Sequence, residues 1–541
     1  MSIEENIQSA LKEAAKNKLG QDVADGMLIL ETPKFAGQGD LSSSLALRLA
    51  KVCHQAPRVL AQTLIEGMKI EGVEKIETAG PGFINFFLQQ DEIASIVSKI
   101  VNEGEHYGDS KVGKNEKTLL EYVSANPTGA LHLGHARGAA VGDSLARILK
   151  KAGYDVTREY YVNDAGVQID HLAESLKARY YQELGDNSLQ VPDDGYHGED
   201  IVEFAKALVK EGGDSYKTAP IEFFKQRGSE MALGNIKKDL KEFRVEFDVF
   251  TSEKAIRQAG KVEEVIGLLK PYCYEKDGAL FLNTTKDGDD KDRVIIKSDG
   301  TYTYLLPDIA YHKNKYDRGY TYLIDLFGAD HHGYISRIKS SMKSLGYDPD
   351  KLDVELVQMV RLFKDGQEYK MSKRTGNAVS LKELCEEAGV DAVRFYFVSR
   401  AASQHLDFDI DLAKTMGTVN PVYYVQYANA RLCNMLEMAE GKYGVDYSGK
   451  GLTSEAELAL MKKLSEYPKT IEDSALTLSP YKITIYTRDL AALVNDFYTK
   501  CRVLDSENPE LSASRLGLCK ASSLVLENAL NLIGVSAPKH M

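Results

Sequence analysis

A chain of 541 residues is too long for one hydrophobic core, and its 43% hydrophobic and 27% charged residues suit a multidomain globular enzyme rather than a disordered chain. The formal net charge of −13, taken alone, argues against a nucleic-acid partner unless a basic face is confined to one side. The charged amino-terminal stretch lacks the apolar region of a signal peptide, no run approaches a membrane span, and the six cysteines stand singly with no CxxC pair, which argues against a disulfide framework or zinc ribbon and fits a reducing cytosol.

Residues 1 to about 110 read as a small α+β domain. Leu45, Leu47, Leu49 and Val52 have helical spacing, and Val73 to Leu88 alternates apolar and polar residues around a Gly-Pro-Gly turn at Gly80 to Gly82. The polar stretch 104–117 reads as a linker. A strand is expected at 117–124, a helix from about His135 to Lys151, and a second strand at 155–162. That order is a βαβ unit of a parallel sheet. From about 170 to 300 the chain turns to charged helices with acidic, glycine-containing loops, read as an insertion between two halves of the sheet. The α/β pattern resumes at 301–312, 320–333 and 354–363, and beyond about 410 only amphipathic helices are expected. The expected architecture is multidomain α/β: an N-terminal α+β domain over 1–110, a Rossmann-like parallel-sheet catalytic domain over 111–410 with the insertion, and an all-α bundle over 411–541.

Two motifs carry chemistry. His132-Leu133-Gly134-His135 lies between the first strand and first helix, where ligands meet the carboxyl ends of strands and a helix N-terminus offers free N–H groups to phosphate. Two histidines at that spacing also occur as a zinc pair, but no further ligand stands nearby in sequence. Lys370-Met371-Ser372-Lys373-Arg374 is a cationic loop suited to closing over pyrophosphate, although an isolated KxxK is commonly a solvated basic turn. Gly108 to Asn115 nearly spells a P-loop, but Asn115 replaces the metal-binding hydroxyl and the segment precedes a strand instead of following one. Residues 286–293 resemble a calcium loop, but Arg293 stands where glycine is required.

The pairing of HLGH with a distant KMSK resembles the class I aminoacyl-tRNA synthetases, with Leu133 where many members carry Ile. Glu121 to Gly129, Ala136 to Gly138, Tyr161 to Gln168, Tyr304 to His312, Gly328 to Gly333 and Asn420 to Arg431 resemble the arginyl-tRNA synthetases, from about residue 35 to the end and loosely across the insertion. The resemblance implies arginine–tRNA ligase activity: ATP with Mg²⁺ activates L-arginine, and the product is passed to tRNA(Arg). It implies a cytoplasmic monomer without membrane contact. His132, Gly134, His135, Lys370, Met371, Ser372 and Lys373 would bind ATP, with the two histidines and two lysines catalytic and no resident metal. Tyr304 and Asp308 would hold the guanidinium, Asn126 would lie near the α-carboxylate, and Glu121 near the ammonium or the side chain. Tyr427, Arg431 and the final Met541 would line an anticodon pocket, with Phe83 and Asn85 at the tRNA elbow. Asp330 stands where some members carry an amide. The physical requirement is independent: a guanidinium is a permanent planar cation with five donors, so its pocket needs carboxylates and further acceptors. Rival readings are a class I enzyme for another amino acid and a catalytically inactive tRNA-binding relative. Scattered cysteines, a length too short for an editing insertion and the intact motifs argue against them.

Overall fold

The computed structural model describes residues 3–31, 33, 37–329, 333–369 and 379–541. The first unit is an antiparallel sheet in which Phe83–Leu88 lies between Leu41–Ser43 and Val73–Ala79, with Leu30–Glu31 at the edge. Helices Ile3–Leu19, Leu45–Cys53 and Pro57–Ile65 share one core with it through Ile7, Leu11, Leu45, Leu60, Ile84 and Phe86.

The central sheet has five parallel strands, β1 (Lys117–Glu121), β2 (Asp155–Val162), β3 (Val249–Ser252), β4 (Tyr322–Gly328) and β5 (Leu352–Val357), in the order β5-β4-β1-β2-β3. This is a doubly wound order that reverses beside β1, and ligands bind at the carboxyl edge of such a reversal. Helix α1 (Leu133–Lys151) follows β1 and is buried along most of its length, its small residues Ala136, Ala139, Ala140, Gly142 and Ala146 permitting close packing. Helix α2 (Leu305–Asp317) precedes β4, and α3 (Tyr334–Ser344) follows it. Both α1 and α2 therefore turn their N-termini to the carboxyl edge of the sheet.

The span expected as one insertion is interrupted. Helices Val167–Glu183, Glu199–Gly212 and Ile221–Glu242 build a core of their own around Leu172, Leu176, Tyr180, Phe204 and Phe224. The chain then re-enters the sheet as β3 before leaving for two short helices and a three-stranded antiparallel sheet. A four-residue edge strand reading Val-Phe-Thr-Ser is too short to display a period. The strand expected over 354–363 also divides: β5 ends at Val357, and Val360–Lys364 joins a different sheet with Leu406–Asp409. Fully buried Arg137 fastens that crossover by donating to the carbonyls of Gln358, Ala401 and Gln404 at 2.7–3.0 Å.

Helix α4 (Val390–Val398) leads to the C-terminal bundle, which includes α5 (Pro421–Ala439) and α6 (Pro509–Leu532). Among the described residues no strand follows Asp409, and no helix is long and apolar enough to cross a membrane. The P-loop-like stretch lies against this bundle, with the Tyr107 hydroxyl donating to Leu464 O at 2.8 Å and the Ser110 hydroxyl to Glu472 at 2.6 Å. The acidic loop at 286–293 is satisfied by protein donors: Asp289 accepts from Arg293 at 2.7 and 2.8 Å, from Thr284 at 3.0 Å and from Ser336 of α3 at 3.1 Å.

Candidate active site at the carboxyl edge of the parallel sheet

His132 is the N-cap of α1, in extended conformation, and its Nδ1 accepts from Gly134 N at 3.2 Å. The helix thus starts at Leu133, two residues before the expected position, because the histidine supplies the cap that Ser or Asp usually provides. The rings of His132 and His135 stack at 3.8 Å. Burial holds both imidazoles below the ordinary histidine range, and His135, also facing His132, is held down at about 4. Near neutral pH the pair is uncharged, so each ring offers one N–H donor beside the helix N-terminus. Ser380 pairs with His132 in a backbone bridge, and Leu381 N donates to Leu131 O at 2.7 Å. The chain that follows the KMSK motif is thereby stitched to the HLGH segment. Lys370, Met371, Ser372, Lys373 and Arg374, and likewise Asp330, lie outside the described residues.

Asp308 occupies the first turn of α2. Its carboxyl is half-buried and accepts from the Tyr334 hydroxyl at 2.6 Å. Burial pushes its pKa up to about 6; Tyr334 and His312 pull it down, and the charges of Glu253 and Glu121 push it up. Tyr304, one turn earlier, is the N-cap residue and is 90% exposed, so its ring lies in solvent apart from Asp308. Pro307 falls at the third helical position, not the first, where a missing N–H still costs no helical bond. Glu121 ends β1 and is buried, with Oε2 on Lys315 at 2.5 Å and Oε1 on Ser124 at 2.9 Å. Ser124 and Val123 hold positive φ of 38° and 69°, a strained exit from the strand that brings the hydroxyl back to Glu121. The Asn126 amide donates to Gln168, joining the loop after β1 to the helix after β2.

The charges beneath this niche were not singled out from sequence. Lys315, His312 and Asp325 form a buried network in which Lys315 bridges Glu121 and Asp325, and beside it Arg318, an exposed residue at the end of α2, holds the buried Glu159. One sequence signal was available: Asp325 interrupts the apolar strand Tyr-Leu-Ile-Asp-Leu-Phe-Gly, and a carboxylate inside such a strand requires a partner.

In the bundle, Tyr423 and Tyr427 on α5 stack at 5.7 Å. The Arg431 guanidinium lies 4.8 Å from the Tyr427 ring and 4.4 Å from that of Tyr498, and donates to Asn495 at 2.8 Å. Met541 is 53% exposed. The tail before it is held to α5, with Gln426 donating to Ser536 O at 3.0 Å and Asn429 to Pro538 O at 3.1 Å. In the first unit Phe83 is partly buried, whereas Asn85 is buried and its side-chain oxygen is taken by the Ser42 hydroxyl at 2.7 Å.

A parallel sheet in this order, with a histidine pair opening the helix after β1 and a helical bundle behind, defines a class I aminoacyl-tRNA synthetase. Family models described as Arginyl tRNA synthetase N terminal domain, tRNA synthetases class I (R), catalytic domain, and DALR anticodon binding domain match residues 1–88, 96–395 and 425–541. The chain belongs to the arginyl-tRNA synthetase family. An arginine–tRNA ligase of Shouchella clausii is 50% identical over 95% of this chain and 94% of its own length. One from Geobacillus thermodenitrificans is 48% identical over 99% of this chain and all of its own. The fold is shared with Thermus thermophilus arginyl-tRNA synthetase at a TM-score of 0.75 and 23% identity, covering 99% of this chain and 100% of that one.

Proposed function

We propose that this enzyme, an arginine–tRNA ligase by family, performs both half-reactions at the carboxyl edge of the sheet, with Asp308 as the guanidinium anchor. In the first, an arginine carboxylate oxygen attacks the α-phosphorus of ATP, the α–β bridging bond breaks, and pyrophosphate leaves. Mg²⁺ enters with ATP as part of that substrate. His132 and His135 donate to the phosphates, Gly134 allows their close approach, and Lys370, Met371, Ser372 and Lys373 meet the departing pyrophosphate. In the second, the terminal 2′-hydroxyl of tRNA(Arg) attacks the arginyl carbonyl, loses its proton and releases AMP.

Arginine is held at its fork by Asp308, with Tyr304 swinging in from solvent, and at its α-groups by Asn126. Glu121 acts from beneath, its oxygens being shared with Lys315 and Ser124. Tyr423, Tyr427, Arg431 and Met541 offer flat and cationic surfaces for anticodon bases. Phe83 offers a weaker contact at the elbow, with Asn85 shaping the strand beside it. The division of labour follows the three units 1–110, 111–410 and 411–541. The chain works as a monomer in the cytosol, a reading that its six free thiols suit.

The observation that carries this reading is a carboxylate at the N-terminus of α2 whose second oxygen has no donor among the described residues, at the same edge as the capped histidine pair. The test is ATP–pyrophosphate exchange with each amino acid, with and without tRNA, for the native enzyme and Asp308→Asn. Exchange should be driven by arginine, and the variant should lose at least about tenfold in kcat/KM for arginine, the scale of a hydrogen bond to a charged group, with KM for ATP held. Preference for another amino acid, or an unaltered variant, overturns the assignment.

A further inference from the structure

Three carboxylates stand in one row across the sheet. Asp325 of β4 is in register with Glu121 of β1, and Glu121 with Glu159 of β2. In-register residues of neighbouring strands share a face about 4.8 Å apart, so bare charges there repel. The three are 0%, 4% and 0% exposed. Helix α2 and the turn after it lie over the row and supply the counter-charges. The fully buried Lys315 ammonium donates to Glu121 Oε2 at 2.5 Å and Asp325 Oδ1 at 2.6 Å. Arg318 grips Glu159 through both terminal nitrogens, at 2.6 and 2.9 Å. Nearby Glu253 is paired with Arg257 at 2.6 and 2.8 Å. Among the described residues, Asp308 receives only the neutral Tyr334 hydroxyl.

We propose that Lys315 is a positioning residue for amino-acid selection: its ammonium pairs with both Glu121 and Asp325, so that among the described residues Asp308 is the one carboxylate of this group without a cation in hydrogen-bond contact. A guanidinium then supplies the cation that Asp308 lacks. The inference rests on the reading of Asp308 as the arginine anchor.

The groups facing Asp308 are Tyr334 from α3, His312 from its own helix, Glu253 and Glu121 from the strand ends, and Tyr161 from β2. Burial and the two glutamates favour its neutral form, while Tyr334 and His312 favour the charged one. Without Lys315, Glu121 keeps its place in the first set but has lost its counter-charge, so its push on Asp308 grows. The niche then takes up a proton near neutral pH, and arginine loses its anchor.

Lys315→Gln keeps hydrogen-bond donors and removes the charge. In steady-state charging across a pH series, the midpoint below which kcat/KM for arginine falls should rise by about one unit, with KM for arginine up about tenfold near pH 5 and about twofold near pH 7, and KM for ATP unchanged across the series. Lys315→Arg should restore the midpoint. A lysine that merely supports the fold would lower Tm and weaken both substrates alike without moving the midpoint, and a folded Lys315→Gln enzyme with the native midpoint overturns the proposal. Should that variant not fold, Lys315→Met combined with Asp325→Asn still leaves Glu121 unpaired and carries the same expectation. Asp308→Asn separates the two ideas. If it spares arginine use, the anchor reading falls; if it abolishes arginine use while Lys315→Gln keeps the native midpoint, only the role of Lys315 falls.

Discussion

Asp308 owes its chemistry to one neighbour more than to its own charge. Desolvation drives its carboxyl up to about 6, and the Tyr334 hydroxyl at 2.6 Å is the donor opposing that drift. If Asp308 is the anchor proposed above, arginine requires its carboxylate, and kcat/KM for arginine should fall as pH drops through this range and be level above it. Since the folded pKa is raised, the associated stability is present at acid pH, below the unfolded value, and is lost as pH rises through about 6. The site therefore costs the fold some stability at the pH where it works, a strain that bound arginine relieves. Tyr334→Phe keeps the ring and removes the donor. Its arginine pH profile should shift upward by roughly one unit, since each unit corresponds to about 1.4 kcal/mol of differential stabilisation. A phenylalanine variant with the native profile would mean that Tyr334 does not hold the charged form. Asp308→Glu is no substitute test, because the longer side chain moves the fork as well as the charge.

Element by element, α1 shows how closely the site is built into the packing. An added Cβ at Gly142 would stand 2.3 Å from the fully buried ring of Tyr122, at the exit of β1. At Gly138, one turn earlier on the same helix, it would meet no described atom within 4 Å. Gly142→Ala should therefore destabilise by about 1–3 kcal/mol through overpacking, while Gly138→Ala should be neutral or stabilising by up to about 1 kcal/mol. Thermal unfolding of the two variants side by side checks this, and equal effects would show that helix propensity, not the Tyr122 contact, governs this face. The same helix marks what a sequence displays. The switch from strand period to helix period around HLGH revealed β1, α1 and β2, and β2 spans the expected 155–162. Strand β3 stayed hidden because four residues carry no period, and the division at Gln358–Met359 because an apolar run does not announce where it leaves one sheet for another. Burial of charge was hidden for a related reason. Lys313 and Lys315 are alike in sequence, yet Lys313 pairs with Asp317 and Glu264 while Lys315 lies between Glu121 and Asp325 at zero exposure, a difference set by strands contributed from elsewhere in the chain. The motif around Asp308 is local in sequence, whereas Tyr334, which donates to it, lies beyond an intervening strand.

Across the whole molecule, one fully buried cation is shared by the catalytic unit and the bundle. Arg394 of α4 donates from Nη2 to Asp143 on α1 at 2.5 Å, from Nη1 to Phe243 O at 2.9 Å, and from Nε to Ile533 O just past α6 at 2.9 Å. Gly534 follows with φ of 66°, and any Cβ there would sit 2.3 Å from the guanidinium, so both the turn and the closeness require glycine. Arg244 adds a second tie, donating to Gly534 O at 2.9 Å and pairing with Asp391 of α4, which also accepts from Gln426 of α5 at 2.9 Å. The helix that begins with the histidine pair is thus bolted to the end of the helix that closes the bundle. Lysine cannot reproduce three donors in a fixed plane, and a neutral residue abandons the buried Asp143 carboxylate. Arg394→Met should cost about 3–5 kcal/mol in chemical denaturation. On the proposed placement of the small substrates at the carboxyl edge of the sheet and of the anticodon on the bundle, KM for arginine and ATP should hold at temperatures where the variant remains folded, whereas KM for tRNA should rise, because tRNA would engage both units together. An Arg394→Met enzyme of native stability and native tRNA affinity would show that the two units keep their relation without this bolt.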